Sequence, residues 1–370
     1  MDFTQIICLL IVSSALGIVY VDAQEGGLFP VVFNLATDAY ITTNATCGEN
    51  GREMYCKLVD HVIKKRVENI HCGVCDLSQS HPSLNHDIKY AIDGSNYWWQ
   101  SPSITQGFRY HFVTVDLDLR QIYTVAYVIV KAANSPRPGN WILERSVDGV
   151  MYKPWQYFAI SDSECFNLFN IPPTIGKPKY KNDSDVICTS FYSRLDPLEN
   201  GEIHISLVNG RPGVDGPSTE LIEFTSARFI RLRFQRIRTL NADLMTLQTN
   251  TPEDVDMTVT RRYFYSIKDI SVGGQCICFG HAEVCPRGEG DNVKCKCEHN
   301  TCGDSCETCC PMFNQHRWRA GTKKDPGICE QCNCNRHAES CVFNQTIADL
   351  KMSMNKQGVF NGGGVCLDCQ

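Results

Sequence analysis

The chain has 370 residues, 43% of them hydrophobic and 21% charged, with a formal net charge of −6. Those figures support a real hydrophobic core in a head of roughly 200 residues or more, with room for smaller modules. They exclude the strong basic excess expected of a nucleic-acid binder.

Residues 1–23 read as a secretory signal. Ile6 to Val21 is an apolar run broken only by two serines, one glycine and one tyrosine. Val21-Asp22-Ala23 places apolar and small residues at the −3 and −1 positions of a cleavage site before Gln24. The run is short and lacks a basic flank, which argues against a membrane anchor, and no later stretch is long and apolar enough to span a bilayer. The 22 cysteines agree with secretion, because so many persist as a framework only where disulfides form. Asn44-Ala45-Thr46, Asn182-Asp183-Ser184 and Asn344-Gln345-Thr346 are acceptor triplets for N-linked glycans, which predicts modification at Asn44, Asn182 and Asn344.

Cysteine density divides the chain at about residue 275, with six cysteines from 24 to 275 and fifteen from 276 to 370. The first segment must fold on apolar burial with a few staples. The second has too little core and must rely on crosslinks.

The head, 24–275, reads as all-β. Val113, Val115 and Leu117 alternate with Phe112, Thr114 and Asp116. Tyr123–Val130 is a more continuous apolar run, as expected of a central strand. Ile203, Ile205 and Leu207 alternate with Glu202, His204 and Ser206, and Ile230, Leu232 and Phe234 with Arg231, Arg233 and Gln235. Period two puts one face in and one face out. Turn residues separate the runs at Pro136–Asn140, Asp148-Gly149, Asn200-Gly201 and Asn209–Gly213. A two-sheet sandwich of jelly-roll type follows. Trp98 and Trp99 are adjacent, so in a strand they point to opposite faces, one to the core. Trp141 and Trp155 are expected in the core. Arg228, Arg231, Arg233, Arg236 and Arg238 crowd one region. Their guanidinium forks suit the sulfates of heparan sulfate or an acidic partner, but a solvated strand with local ion pairs is the favoured expectation. Lys64-Lys65-Arg66 is a smaller basic run of the same kind.

The tail repeats itself. Cys276-Ile277-Cys278, Gly280-His281-Ala282 and Cys285 recur as Cys332-Asn333-Cys334, Arg336-His337-Ala338 and Cys341, an offset of 56 residues. Two copies of one module are predicted, 276–331 and 332–370. Leu350–Gly364 reads as a long loop of the second copy, ending in a mobile run of three glycines. Cys295-Lys296-Cys297 and Cys306–Cys309 also fit zinc-type spacing. A secreted chain with far more than four cysteines per module favours disulfides. No Gly-x-Ser-x-Gly elbow, His-Glu-x-x-His or P-loop is present, so no enzymatic activity is expected.

Cys276 to Cys329 resembles a laminin-type EGF-like module. The resemblance implies pairs Cys276–Cys285, Cys278–Cys295, Cys297–Cys306 and Cys309–Cys329, leaving Cys302 and Cys310 to pair with each other. In the second copy it implies Cys332–Cys341 and Cys334–Cys366, with Cys369 left over as the mark of a module cut short. The head resembles the laminin N-terminal domain shared by laminin short arms and netrins. Leu28-Phe29-Pro30, Asn44–Gly48, Ala91–Gly94, Trp98–Pro102 and Tyr263–Gly274 carry that likeness, while Ala132–Ser146 and Thr239–Leu247 are of laminin α type. It implies a jelly-roll head and a Cys165–Cys188 pair. The pairing of Cys47, Cys56, Cys72 and Cys75 stays open, as does the α subtype. The implied role is that of a secreted basement-membrane glycoprotein in the extracellular matrix. Its tip joins the β and γ chain N-terminal domains in a calcium-dependent polymer, with cell-surface receptors such as integrins as further partners, and it supports adhesion, morphogenesis and axon guidance. A netrin-like guidance cue is the alternative. The implied calcium site takes the Asp93 carboxylate with carbonyls of Tyr90, Tyr97 and Lys268, hard oxygens that suit the ion.

Overall fold

The longest alternating run sets the architecture. In a computed structural model describing residues 27–57, 72–133, 135, 137–193, 201–239, 257–288 and 292–369, Val113–Ala132 form one 20-residue strand. The signal segment, Lys64-Lys65-Arg66 and most of Thr239–Leu247 fall outside those residues. We number the strands β1 (Phe33–Asn34), β2 (Tyr40–Thr43), β3 (Glu53–Cys56), β4 (Cys72–Cys75), β5 (Trp99–Gln100) and β6 (Val113–Ala132). They continue with β7 (Pro138–Ser146), β8 (Lys153–Phe158), β9 (Ile187–Thr189), β10 (Glu202–Ser206), β11 (Ser226–Ile237) and β12 (Ser266–Cys276).

Strand β6 belongs to both layers of a sandwich. Its first half lies between β2 and β11, its second between β10 and β12. One layer therefore runs β2-β6-β11-β7-β8-β9, and the other is β10-β6-β12 with β1 and β5 on β12. All pairs are antiparallel except β8–β9. The turn between halves comes at Arg120, which has a left-handed φ of 71° and donates its amide to the Asp118 carboxylate at 2.7 Å. Val113, Val115, Leu117, Leu119, Tyr123 and Val125 are buried, and then the inward positions shift to Val128, Val130 and Ala132. The shift coincides with a bulge opposite Gly273-Gly274 of β12. Slipping one residue exchanges the faces of a strand. That is why Tyr123–Val130 looks continuously apolar in sequence although each half is one-sided.

Between the layers, Trp141 stacks on Phe158 at 3.9 Å and Phe234 on Tyr265 at 4.5 Å, while Trp155 donates its indole N–H to the Phe224 carbonyl at 2.6 Å. Every residue of β7 is buried, including Glu144 and Arg145. Two short helices, Asp162–Phe169 and Thr219–Thr225, start on Ser161 and Ser218, whose hydroxyls accept the amides of Glu164 and Leu221. Cys47–Cys75, Cys56–Cys72 and Cys165–Cys188 staple the sandwich. Cys56 lies directly opposite Cys72 in the β3–β4 ladder.

The chain divides into two compact units, but not by one cut at residue 275. One holds Pro30–Ile277 with Val284–Cys295, and the other holds residues up to Phe29, Cys278–Glu283 and Lys296–Gln370. Local bonding explains the interleaving. Cys276 is both the last residue of β12 and the partner of Cys285, which fastens the segment after it to the sheet unit. Gln121 also holds both the N–H and the carbonyl of Val293, at 2.9 and 3.1 Å. At the other end, the amides of Gly27 and Leu28 donate to Thr322 and Gly280.

The second unit has little regular structure and a core made largely of sulfur. Its disulfides are Cys297–Cys306, Cys302–Cys310, Cys309–Cys329, Cys332–Cys341 and Cys334–Cys366. Cys278 is also disulfide-bonded, as is Cys295 of the sheet unit, and Cys369 is free and exposed. The expected mobile glycine run is corrected here. Residues 360–362 and 364–367 are in strands, and the Gly363 amide donates to Gln315 at 2.8 Å. A Cβ on Gly364 would fall 2.6 Å from the Cys332 sulfur, so these glycines serve close packing.

Candidate functional site

Three of the four residues implied for an ion, Tyr90, Asp93 and Tyr97, lie on one loop, and the fourth, Lys268, lies on β12. Asp87 caps a 3₁₀ turn, Ile88–Ala91, by accepting the Lys89 amide at 3.0 Å. Tyr90 closes that turn as a buried residue. Asp93 then reverses the chain with Gly94, whose φ is 70°, and accepts the Ser95 amide at 2.8 Å. The Ser95 hydroxyl in turn accepts the Tyr97 amide at 3.2 Å. The Tyr97 ring lies 5.5 Å from that of Tyr90. Strand β12 packs against the turn. Its register to β6 jumps between Ile267 and Asp269, a bulge that holds Lys268. The donor set is one exposed carboxylate with backbone carbonyls. Such hard oxygens fit calcium, and one charged ligand places any affinity at the weak end of calcium sites.

The loop ends on a buried aromatic and polar cluster that the sequence did not reveal. His86 is 1% exposed. Its Nδ1 is 3.2 Å from the Trp98 carbonyl, its ring lies 4.8 Å from the Trp98 ring, and Tyr55 meets its other side edge-on at 5.7 Å. Burial pushes the imidazole down to about 4, against the Trp98 bond, so the ring is neutral. Gln100 accepts the Trp98 indole N–H at 3.2 Å and reaches the Cys47 and Cys75 sulfurs with its own amide. Trp99, the first residue of β5, is fully buried, while Trp98 precedes the strand and is partly exposed. Nearby, Glu53 is also buried and accepts the Ser103 amide at 2.9 Å. Burial raises its pKa, and those hydrogen bonds only partly offset the effect.

The arginine cluster resolves into ion pairs. Arg228 forks onto Asp118 at 2.9 and 3.0 Å, and Arg231 reaches Asp116 at 2.6 Å while lying 3.8 Å from the Tyr152 ring centre. Arg233 meets Glu144 at 2.7 Å and Arg236 meets Glu164 at 3.6 Å. Asp116, Asp118 and Glu144 come from neighbouring strands, Arg231 being in register with both Asp116 and Glu144, and Glu164 comes from the helix Asp162–Phe169. Arg238 is pushed down by burial, and its Nε is enclosed. A surface of paired charges attracts polyanions far less than five free guanidiniums would.

Other predicted positions are simpler. Asn44, Asn182 and Asn344 are all exposed. Asn44 accepts the Thr114 amide at 2.9 Å, and Asn344 caps the helix Gln345–Asp349. His204 is paired with Glu202 at 3.0 Å on an exposed face. No helix among the described residues is long and apolar enough to cross a membrane.

Comparison with known proteins covers nearly the whole chain. The laminin N-terminal (domain VI) family profile matches residues 28–274. Laminin subunit alpha-1 of Mus musculus is 58% identical over 98% of this chain, and laminin subunit alpha-3 of Homo sapiens is 45% identical over 93%. Laminin subunit gamma-1 of Xenopus tropicalis is 31% identical over 90%. The chain spans 12%, 10% and 20% of those proteins respectively. These relatives are laminin subunits.

Proposed function

The chain belongs to the laminin N-terminal (domain VI) family, and from that premise we propose that its head is the adhesive tip of an α-type short arm in a secreted basement-membrane protein. The supporting observation is the match over 28–274 together with 58% identity to an alpha-1 subunit, against 31% to a gamma-1 subunit. On this reading the tip joins β and γ tips in a three-way node, and the cysteine-rich modules space the nodes. Many weak nodes add up when the arms keep the tips close together. Calcium bound by Asp93 with the carbonyls of Tyr90, Tyr97 and Lys268 shapes the loop for that contact. Cell-surface receptors are further partners of the same tip. The paired state of Arg228, Arg231, Arg233 and Arg236 speaks against that strand as the place where heparan sulfate docks.

The test is direct mixing. The 370-residue chain with soluble β and γ N-terminal fragments should give a heavier species in light scattering with calcium and monomers with chelator. Monomers under both conditions, at high concentration, would reject the node. Asp93→Ala tests the ion separately. The melting temperature should rise with calcium in the parent chain and stay flat in the variant.

A further inference from the structure

We infer that His86 is a positioning residue that holds the Asp87–Tyr97 loop in its ion-binding shape. The inference rests on the calcium reading above and deepens it. His86 grips the far end of the loop twice. Its carbonyl accepts the Gln100 amide at 3.4 Å, and its Nδ1 bonds the Trp98 carbonyl at 3.2 Å. A carbonyl can only accept, so Nδ1 carries the proton and Nε2 is the bare nitrogen. That nitrogen is buried without a hydrogen-bond partner. A buried unpaired polar atom costs stability, and an apolar ring of the same shape would avoid the cost. Trp98 and Tyr55 on either side would pack such a ring equally well. What an apolar ring lacks is the Nδ1–H.

The bond joins the residue just before Asp87 to the residue just after Tyr97, so it closes the loop bearing Tyr90, Asp93 and Tyr97. Behind it, Trp98 is tied through Gln100 to the Cys47–Cys75 disulfide. The disulfide is therefore the fixed point, and His86 is the pin that transfers its rigidity to the carbonyl end of the loop. Fixing ligand carbonyls before the ion arrives removes part of the ordering cost of binding.

The experiment compares the parent chain with His86→Phe, which keeps the packing and loses the donor, and His86→Asn, which restores an N–H donor on a shorter side chain. Calcium affinity is read by calorimetry, and amide exchange of 88–97 is read without calcium. His86→Phe should exchange faster across the loop and bind calcium about five- to tenfold more weakly, the loss of one net hydrogen bond. His86→Asn should recover part of both although its smaller side chain lowers the melting temperature, and the parent and His86→Phe should melt alike in chelator at neutral pH. Unchanged loop exchange in His86→Phe, or faster exchange with unchanged affinity, overturns the role of His86. A parent chain that takes up no calcium overturns the ion reading instead, and the exchange arm still shows whether the pin exists.

Discussion

The two units solve the same stability problem by opposite means. The sheet unit buries aromatic and branched side chains between two layers and has four described internal disulfides, the last of them Cys276–Cys285. The second unit has five described internal disulfides and a sulfur-lined cluster of Cys332, Cys334 and Cys341 with Met312 and Ala338. In the first, folding is driven by area removed from water. In the second, crosslinks restrict the unfolded chain, because too little apolar area is available. The difference teaches where each is vulnerable: one to lost volume, the other to lost covalent closure.

Reduction should separate them most sharply. Full reduction in native buffer should make 297–370 sensitive to protease while β6, β7 and β11 stay protected in hydrogen exchange, and simultaneous loss of both would break the contrast. The next largest effect is Trp141→Ala, expected to cost about 3–5 kcal/mol in a urea melt of the sheet unit. It should leave protease resistance of the second unit unaltered. Removing one crosslink by Cys309→Ser with Cys329→Ser should cost the second unit about 2–5 kcal/mol and the first nothing measurable.

Acid gives a smaller and directional test. His86 is held down at about 4 against an ordinary value of 6.5. Between those values the unfolded chain binds the extra proton, so stability falls as pH drops from 6.5 toward 4. The drop should be roughly 2–3 kcal/mol and largely absent from His86→Phe. Glu53 works in the other sense. Its raised pKa means that stability is lost as pH rises through its folded value, and Glu53→Gln should remove that loss. The smallest effect is expected at the strand arginines. Arg231→Gln, in a half-exposed pair, should change stability by about 1 kcal/mol or less and leave elution from a heparin column nearly unchanged. A large shift to lower salt would restore that face as a polyanion site.

Much of the sheet unit was legible in sequence because strand burial has period two. Val113–Leu117, Ile203–Leu207 and Ile230–Phe234 each declare a face on their own. The halves of β6 were legible, but their union in one strand was not, since it depends on a left-handed Arg120 and a bulge against β12. Arg211 shows the limit of turn signals. It lies in the Asn209–Gly213 turn, yet its guanidinium is buried between the rings of Tyr180 and Phe224, each 4.1 Å away. The pairing of the four cysteines before Cys165 was open because spacing does not encode pairing. The β3–β4 ladder decides one pair by setting Cys56 opposite Cys72. In the candidate site, Asp93-Gly94 was visible as a turn. His86 was not, because its partners become neighbours only when β5 returns beside it.

The place of Cys276 has a mechanical consequence. It ends β12, whose pairing with β6 extends from Ile267 to Cys276, and it is also the first staple of the cysteine-rich region. Tension arriving along the chain from its C-terminal side therefore enters a strand paired along its length with β6 rather than a loop. Many hydrogen bonds share that load at once, and Cys276–Cys285 lets no slack accumulate before they do.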